Sequence, residues 1–363
     1  GDRSGIRNAE IKYGVGYGVK IEACDYGFVE WCYVHHNGLF DLYSEGNSTT
    51  TTRYARFDDC VVHSYGFEAG IHHRGNAGLT ATTPNYAPMI RGCYCKRFDN
   101  SGGPGSARSE ICIEVWGHTY DAVISSNHAE GGWMGISVDR SRYAAVTGNT
   151  VRDCRNGYEL AASERCTVTG NTYQGLNKEN TIGVSCSNSP NGHNVISGNY
   201  FYGFAECGIH LNGSTGDTSN WYTITGNQFY PTIGTADCIR LQHASYVTIT
   251  GNSFFGDTAA RGDGIHMDSH SSTGPNMPTI TITGNTFADL DRCFDFQASG
   301  TVGTATPSVD RVSVTGNTFT NNNLVIAALS SGKINNVYIG DNWKMIGNIG
   351  LGDYRNYRAG TVY

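Results

Sequence analysis

The 363-residue chain contains no apolar run near the roughly 18 residues that cross a bilayer, so neither a transmembrane helix nor a membrane partner is expected. Basic side chains are also scarce. Lys and Arg number 25 against 32 acids, the formal charge is −7, and no basic stripe offers itself to a phosphate backbone, which argues against a nucleic-acid partner. The 12 cysteines include no C-x-x-C pair and no Cys/His cluster at zinc-ligand spacing, so no structural zinc is read. Proline is held to 8 residues while glycine reaches 48.

What the chain has is a repeat. Seven copies of one phrase end at Thr150, Thr172, Tyr200, Phe229, Phe254, Phe287 and Phe319, reading VTGNT, VTGNT, ISGNY, ITGNQF, ITGNSF, ITGNTF and VTGNTF, and an eighth, IGDNW, ends at Trp343. Their Asn residues, from Asn149 to Asn342, are spaced by 22, 28, 28, 25, 33, 32 and 25 residues. A period of that size is one coil of a solenoid, and one domain can then span 1–363 because repeat proteins grow by adding coils.

After each phrase comes a short apolar-any-apolar strand: Ile136-Ser-Val138, Tyr158-Glu-Leu160, Ile209-His-Leu211, Ile239-Arg-Leu241, Ile265-His-Met267 and Phe294-Asp-Phe296. Alternation puts the flanking residues in the core and the middle one outside. Each coil therefore holds at least two strands. The Gly-Asn pair supplies the bend, since glycine accepts the left-handed backbone of a tight corner, and stacked Asn residues can form an amide ladder.

The repeat extends upstream with cysteine in place of Asn, in Val29-Glu-Trp-Cys32, Phe57-Asp-Asp-Cys60 and Ile90-Arg-Gly-Cys93, before Ile124-Ser-Ser-Asn127 restores it. A second cysteine column opens the outer strand at Cys112, Cys207, Cys238 and Cys293. Coils stacked about 4.8 Å apart suit packed thiols better than the specific geometry of a disulfide, so the cysteines are expected reduced. The expected fold is all-β, a right-handed parallel β-helix of about 12 or 13 coils. Because Ile6 to Ile11 already reads as strand, the chain looks like a module excised without its N-terminal cap.

The phrase [VI]-T-G-N-[TSQ]-[FY] followed by G-I-x-[LM] resembles the pectate-lyase-like superfamily of right-handed β-helices, which includes phage tailspike depolymerases, over nearly the whole span from Ile6 to Trp343. The resemblance implies a long groove that binds an extended polysaccharide. It also implies an extracellular or virion-surface location and leaves room for a tailspike-like homotrimer. The sequence lacks the paired-aspartate, Gly-His-Gly and Arg-Ile-Lys signatures of polygalacturonases and the Asp-Pro-His-Glu signature of mannuronan epimerases.

Two outward columns carry the candidate chemistry. One reads Lys20, Asp41, His72, Glu114, Ser137, Glu159, Ser185, His210, Arg240, His266 and Asp295; the next reads Glu22, Tyr43, Trp116, Asp139, Ala161, Ser187, Asn212, Gln242, Asp268 and Gln297. Glu114, Asp139 and Glu159 fall on consecutive coils, with Glu114 and Glu159 roughly 9 to 10 Å apart, near the carboxylate separation of an inverting glycosidase. Trp116 offers a flat ring to a sugar, Arg140 and Arg142 a hold for a charged substituent, and His72, His73 and Arg74 an extension of the subsites.

A rival cluster joins His210, Arg240 and His266, flanked by Asn212, Gln242, His243, Asp268 and His270, as the base and cations of a polyuronate lyase acting by β-elimination. The expected function is a polysaccharide depolymerase, favoured as an inverting hydrolase through Glu114, Asp139 and Glu159. The alternatives are that lyase and a non-catalytic glycan-binding adhesin. No cofactor is expected, although loop carboxylates leave room for calcium.

Overall fold

The computed structural model describes residues 3–46, 51–65, 68–75, 85–98, 111–175, 180–188, 191–213, 219–257, 261–269, 277–298, 308–330, 333–340 and 343–346. The chain divides into two compact units, Gly1–Gln174 and Gly175–Tyr363. Both are built from one type of coil, three short strands that pair only with their parallel counterparts in neighbouring coils, and the described residues contain no helix. The chain is a right-handed parallel β-helix, as its repeat predicts.

The phrase itself dictates the coil. Strand Ala145–Thr147 runs into Gly148, whose φ of 64° turns the chain; Asn149 is buried at the bend and Thr150–Arg152 leaves as a second strand. Strand Asn156–Ala161 then supplies the apolar-any-apolar motif as the third face. The phrase thus makes two strands around one corner, and with the third face each coil holds three strands, within the expected minimum of two.

In the first unit the first face stacks Gly5–Arg7, Phe28–Glu30, Arg56–Asp58, Met89–Arg91, Val123–Ser125, Ala145–Thr147 and Thr167–Thr169. The Cys-bearing coils align with the Asn-bearing ones as the sequence predicts. In the second unit the third face stacks Ile182–Ser187, Cys207–Asn212, Asp237–Gln242, Asp263–Ser269, Arg292–Ala298 and Leu324–Ser330.

The Asn column forms a buried ladder within each unit. Asn127 Nδ2 donates to Asn149 Oδ1 at 3.0 Å, and Asn149 Nδ2 donates to Asn171 Oδ1 at 3.0 Å. Asn199, Asn227, Asn252, Asn285 and Asn317 repeat the link at 2.9 to 3.0 Å. Beside them Phe201, Phe229, Phe254, Phe287 and Phe319 stack with centroids 4.5 to 5.3 Å apart, each pair adding about 1 kcal/mol beyond simple burial. None of the 12 cysteines is in a disulfide and 11 are buried, in keeping with packed thiols.

One coil departs from the expected register. Val19 pairs with Leu42 and Leu42 with Ile71, so the outward column runs Lys20, Tyr43, His72 and the next runs Glu22, Glu45, Arg74. Asp41 lies two residues earlier and is fully buried, accepting a 2.8 Å bond from Asn37 Nδ2. Phe40-Asp-Leu42 and Leu42-Tyr-Ser44 both offer an inward-outward-inward frame. The second prevails because Ser44 Oγ lies 2.7 Å from the inward-facing His73 Nδ1.

Candidate active-site groove

In the first unit the third face sets two outward columns side by side. His72, Glu114, Ser137 and Glu159 are directly paired across successive coils, and Arg74, Trp116, Asp139 and Ala161 are paired two residues further along. The columns are far less exposed than an outer face suggests: His72 and Ser137 are buried, and the Glu114 side chain is only 16% exposed.

His72 is pinned between aromatic rings and a carboxylate. Its ring stacks on Tyr43 at 5.3 Å and 12°, packs against Phe40 at 4.9 Å, and brings Nδ1 to 2.7 Å from Glu114 Oε2. Tyr43 donates its hydroxyl to Glu45 Oε2 at 2.6 Å, and Lys20 Nζ binds Glu45 Oε1 at 2.8 Å. Phe40, Glu68, His72, Arg74, Glu114 and Trp116 enclose a cleft of about 190 Å³.

Two coils on, Glu159 accepts a 2.7 Å bond from Ser137 Oγ. Burial pushes its carboxyl up to about 7; the Ser137 hydroxyl opposes this, while Asp139 and Glu114 add to it. The group is therefore a proton donor near neutral pH, whereas Glu114 faces a nitrogen. Two carboxyl groups in contrasting surroundings are what separates an acid from a base.

Other residues named from sequence lie elsewhere. His73 is buried inside the coil in register with Val115, and burial followed by the neighbouring His72 takes its imidazole down to about 3. Strand alternation points it away from the groove, so it is no subsite. Arg142 binds Glu164 Oε2 at 2.9 Å and lies over Tyr120 at 6.0 Å, in register with Tyr120 at the strand's far end. Arg140 stays beside the groove, with Nε 3.9 Å from Asp139 Oδ1. Arg74, expected to extend the subsites, stands in the second column, paired with Trp116.

The second unit brings His210, Arg240, His266 and Asp295 into one column and Asn212, Gln242 and Asp268 into the next. Its cations are occupied. Arg240 Nε donates to Asp237 Oδ2 at 2.7 Å and Nη1 to Glu206 Oε1 at 3.3 Å; Arg292 Nη1 donates to Asp295 Oδ2 at 2.5 Å, and its Nε lies 3.2 Å from Asp263 Oδ1. His266 Nδ1 lies 3.4 Å from Asp237 Oδ2; burial draws its imidazole down, but Asp237 and Asp295 outweigh that and raise it overall.

His210 meets Gln242 Oε1 at 3.3 Å, and burial followed by Arg240 lowers it to about 4. Burial raises Asp263 to about 7 against the pull of Arg292. Asp237, Asp263 and Arg292 precede the apolar-any-apolar window and escaped sequence reading. His243 is buried, and His270 lies outside the described residues. Asp237, Asp263 and His266 present ligand atoms within 4.8 Å of one another, but Arg240 and Arg292 already neutralise those carboxylates, so a calcium ion does not fit there.

The comparisons agree on the fold. A family profile described as NosD, periplasmic copper-binding protein, matches residues 108–230. No curated protein matches the chain by sequence. The A-module of Azotobacter vinelandii mannuronan C-5 epimerase AlgE6 is similar in structure, with 13% identity, 91% of this chain and 90% of that one covered, and a TM-score of 0.65. A PL6 alginate lyase solved with a trisaccharide gives 13% identity, 94% and 79% coverage and 0.63. The catalytic unit of a GH87 α-1,3-glucanase from Streptomyces thermodiastaticus gives 13%, 94%, 63% and 0.64.

Proposed function

We propose that this protein cleaves glycosidic bonds of an extended polysaccharide in the groove of its first unit, as an inverting hydrolase. The carrying observation is Glu159, whose carboxyl is raised to about 7 and has Ser137 as its hydrogen-bond donor in place of a cation. Glu159 protonates the leaving oxygen as general acid, and Glu114, with His72 Nδ1 at 2.7 Å, takes the proton of the attacking water. Asp139 lies on the intervening coil, where its charge stabilises positive character developing on the sugar ring.

The three similar structures are named for enzymes of polysaccharides: a mannuronan epimerase, an alginate lyase and a glucanase. A location outside the cytoplasm is supported by the matching family profile, which is described as periplasmic. The test is reducing-end release from a polysaccharide panel by wild type and Glu159→Gln. Cleavage that survives in Glu159→Gln removes this mechanism, and an intact polymer throughout the panel supports the adhesin instead.

One observation favours β-elimination as a second reading. His210, lowered to about 4, is a neutral imidazole at pH 7 and stands one coil from Arg240. Product carrying an unsaturated sugar, detected by its ultraviolet absorbance, identifies that chemistry.

A further inference from the structure

The Trp116 indole has a guanidinium from each neighbouring coil. Arg74 pairs in register with Trp116 from the coil before, and Arg140 follows Asp139, which pairs with Trp116 from the coil after. Their Cζ atoms lie 5.0 and 5.7 Å from the ring centroid. The sequence assigns that ring to a sugar face; the structure gives it to two cations.

Stacking on an indole holds a guanidinium by charge and dispersion without consuming its N–H donors. Arg140 therefore keeps a flat fork of donors, and Arg74 keeps those not used on Tyr43. Neither fork is in close contact with a carboxylate: Arg140 makes one long ion pair, Nε to Asp139 Oδ1 at 3.9 Å, and Arg74, hydrogen-bonded to Tyr43 and near Glu45, forms no ion pair among the described residues. By contrast Arg91, Arg142, Arg240 and Arg292 each reach a carboxylate at 2.9 Å or less. Arg74 also lines the cleft that holds His72 and Glu114.

We infer that Arg74 and Arg140 bind an anionic group, a carboxylate or a sulfate, on the sugar beside Glu114, so that the substrate is an acidic polysaccharide. This rests on the depolymerase reading and names its substrate class. The forks also answer a physical problem, since an anionic chain entering beside Glu114 and Asp139 meets like charge unless cations face it. Bidentate guanidinium contacts suit both oxyanions.

The test is affinity electrophoresis of Glu159→Gln in gels containing alginate, polygalacturonate or chondroitin sulfate, each compared with its carboxyl-reduced or desulfated form, and in pullulan gels. At least one acidic polymer retards the protein at low salt, and its neutralised form binds at least tenfold more weakly. Adding Arg74→Gln and Arg140→Gln weakens that binding tenfold or more and flattens its salt dependence, while Arg74→Lys with Arg140→Lys keeps part of it. Circular dichroism confirms that the variants keep the β-helix.

Failure to bind any acidic polymer overturns the inference, as does unchanged binding by the double Gln variant. Glu159-dependent cleavage of pullulan by the wild type overturns it too while leaving the hydrolase standing. Arginine-dependent binding of an acidic polymer that the wild type never cleaves does the reverse.

Discussion

His72 Nδ1 stands 2.7 Å from Glu114 Oε2, with the imidazole laid flat on Tyr43. The stack fixes the ring and so sets its nitrogen against the carboxylate. His72→Phe keeps the aromatic packing and removes the nitrogen. The expected result is a fall in kcat of about tenfold or more with little change in Tm. Unchanged kcat would show that Glu114 acts without His72.

Glu159 carries its own pH signature. Its folded carboxyl titrates near 7 against an unfolded value of 4.5, so the folded state holds the proton more tightly. The associated stability is complete below pH 4.5 and is lost as pH rises through 7. Glu159→Gln removes this dependence, so chemical denaturation of wild type and variant should diverge between those limits. Activity of the wild type falls above pH 7 as the acid ionises.

The ladder makes Asn252 costly to replace. Its Oδ1 accepts from Asn227 N and Nδ2 at 2.9 Å, and its Nδ2 donates to Ile224 O and Asn285 Oδ1 at 3.0 Å. Asn252→Ala strands several buried groups and should destabilise by about 3 kcal/mol or more, measured by urea unfolding. A loss below about 1 kcal/mol would show that the ladder relaxes around the gap.

Thiol accessibility tests the packed cysteines. Cys24 is half-buried and the other 11 are buried, none in a disulfide. A thiol reagent should label Cys24 in the native protein and all 12 in denaturant. Early labelling of Cys60 or Cys93 would mean that the Cys-bearing coils open locally.

The second unit should respond as a structural network. Asp237 is buried and bound by Arg240, so Arg240→Met leaves a charge without its main partner and should cost about 3 kcal/mol of stability. Folded Arg240→Met protein with no turnover would move the chemistry to this cluster.

The fold was legible because Gly148 and Asn149 recur as a bend that no helix tolerates at that period, and the Cys-for-Asn exchange kept the frame upstream. The groove was legible wherever one frame satisfied alternation, as at Glu114 and Glu159. It failed at Asp41, where Phe40-Asp-Leu42 and Leu42-Tyr-Ser44 compete and only the buried Ser44–His73 contact decides. His73 could have been placed inward by alternation alone. Asp263 and Arg292 could not be found, since they precede the periodic window and meet only through stacking.

The ladder amides all point one way. In each of the four links from Asn199 to Asn317 the amino group of one rung donates to the carbonyl oxygen of the following one. The side chains thus line up as a head-to-tail file of dipoles, each bond polarising the next. Such a file has a sense of direction, and an inserted coil joins it only by bringing an amide of the same orientation. A coil duplicated between Asn227 and Asn252 would be admitted, and one carrying leucine at the bend would cut the file in two.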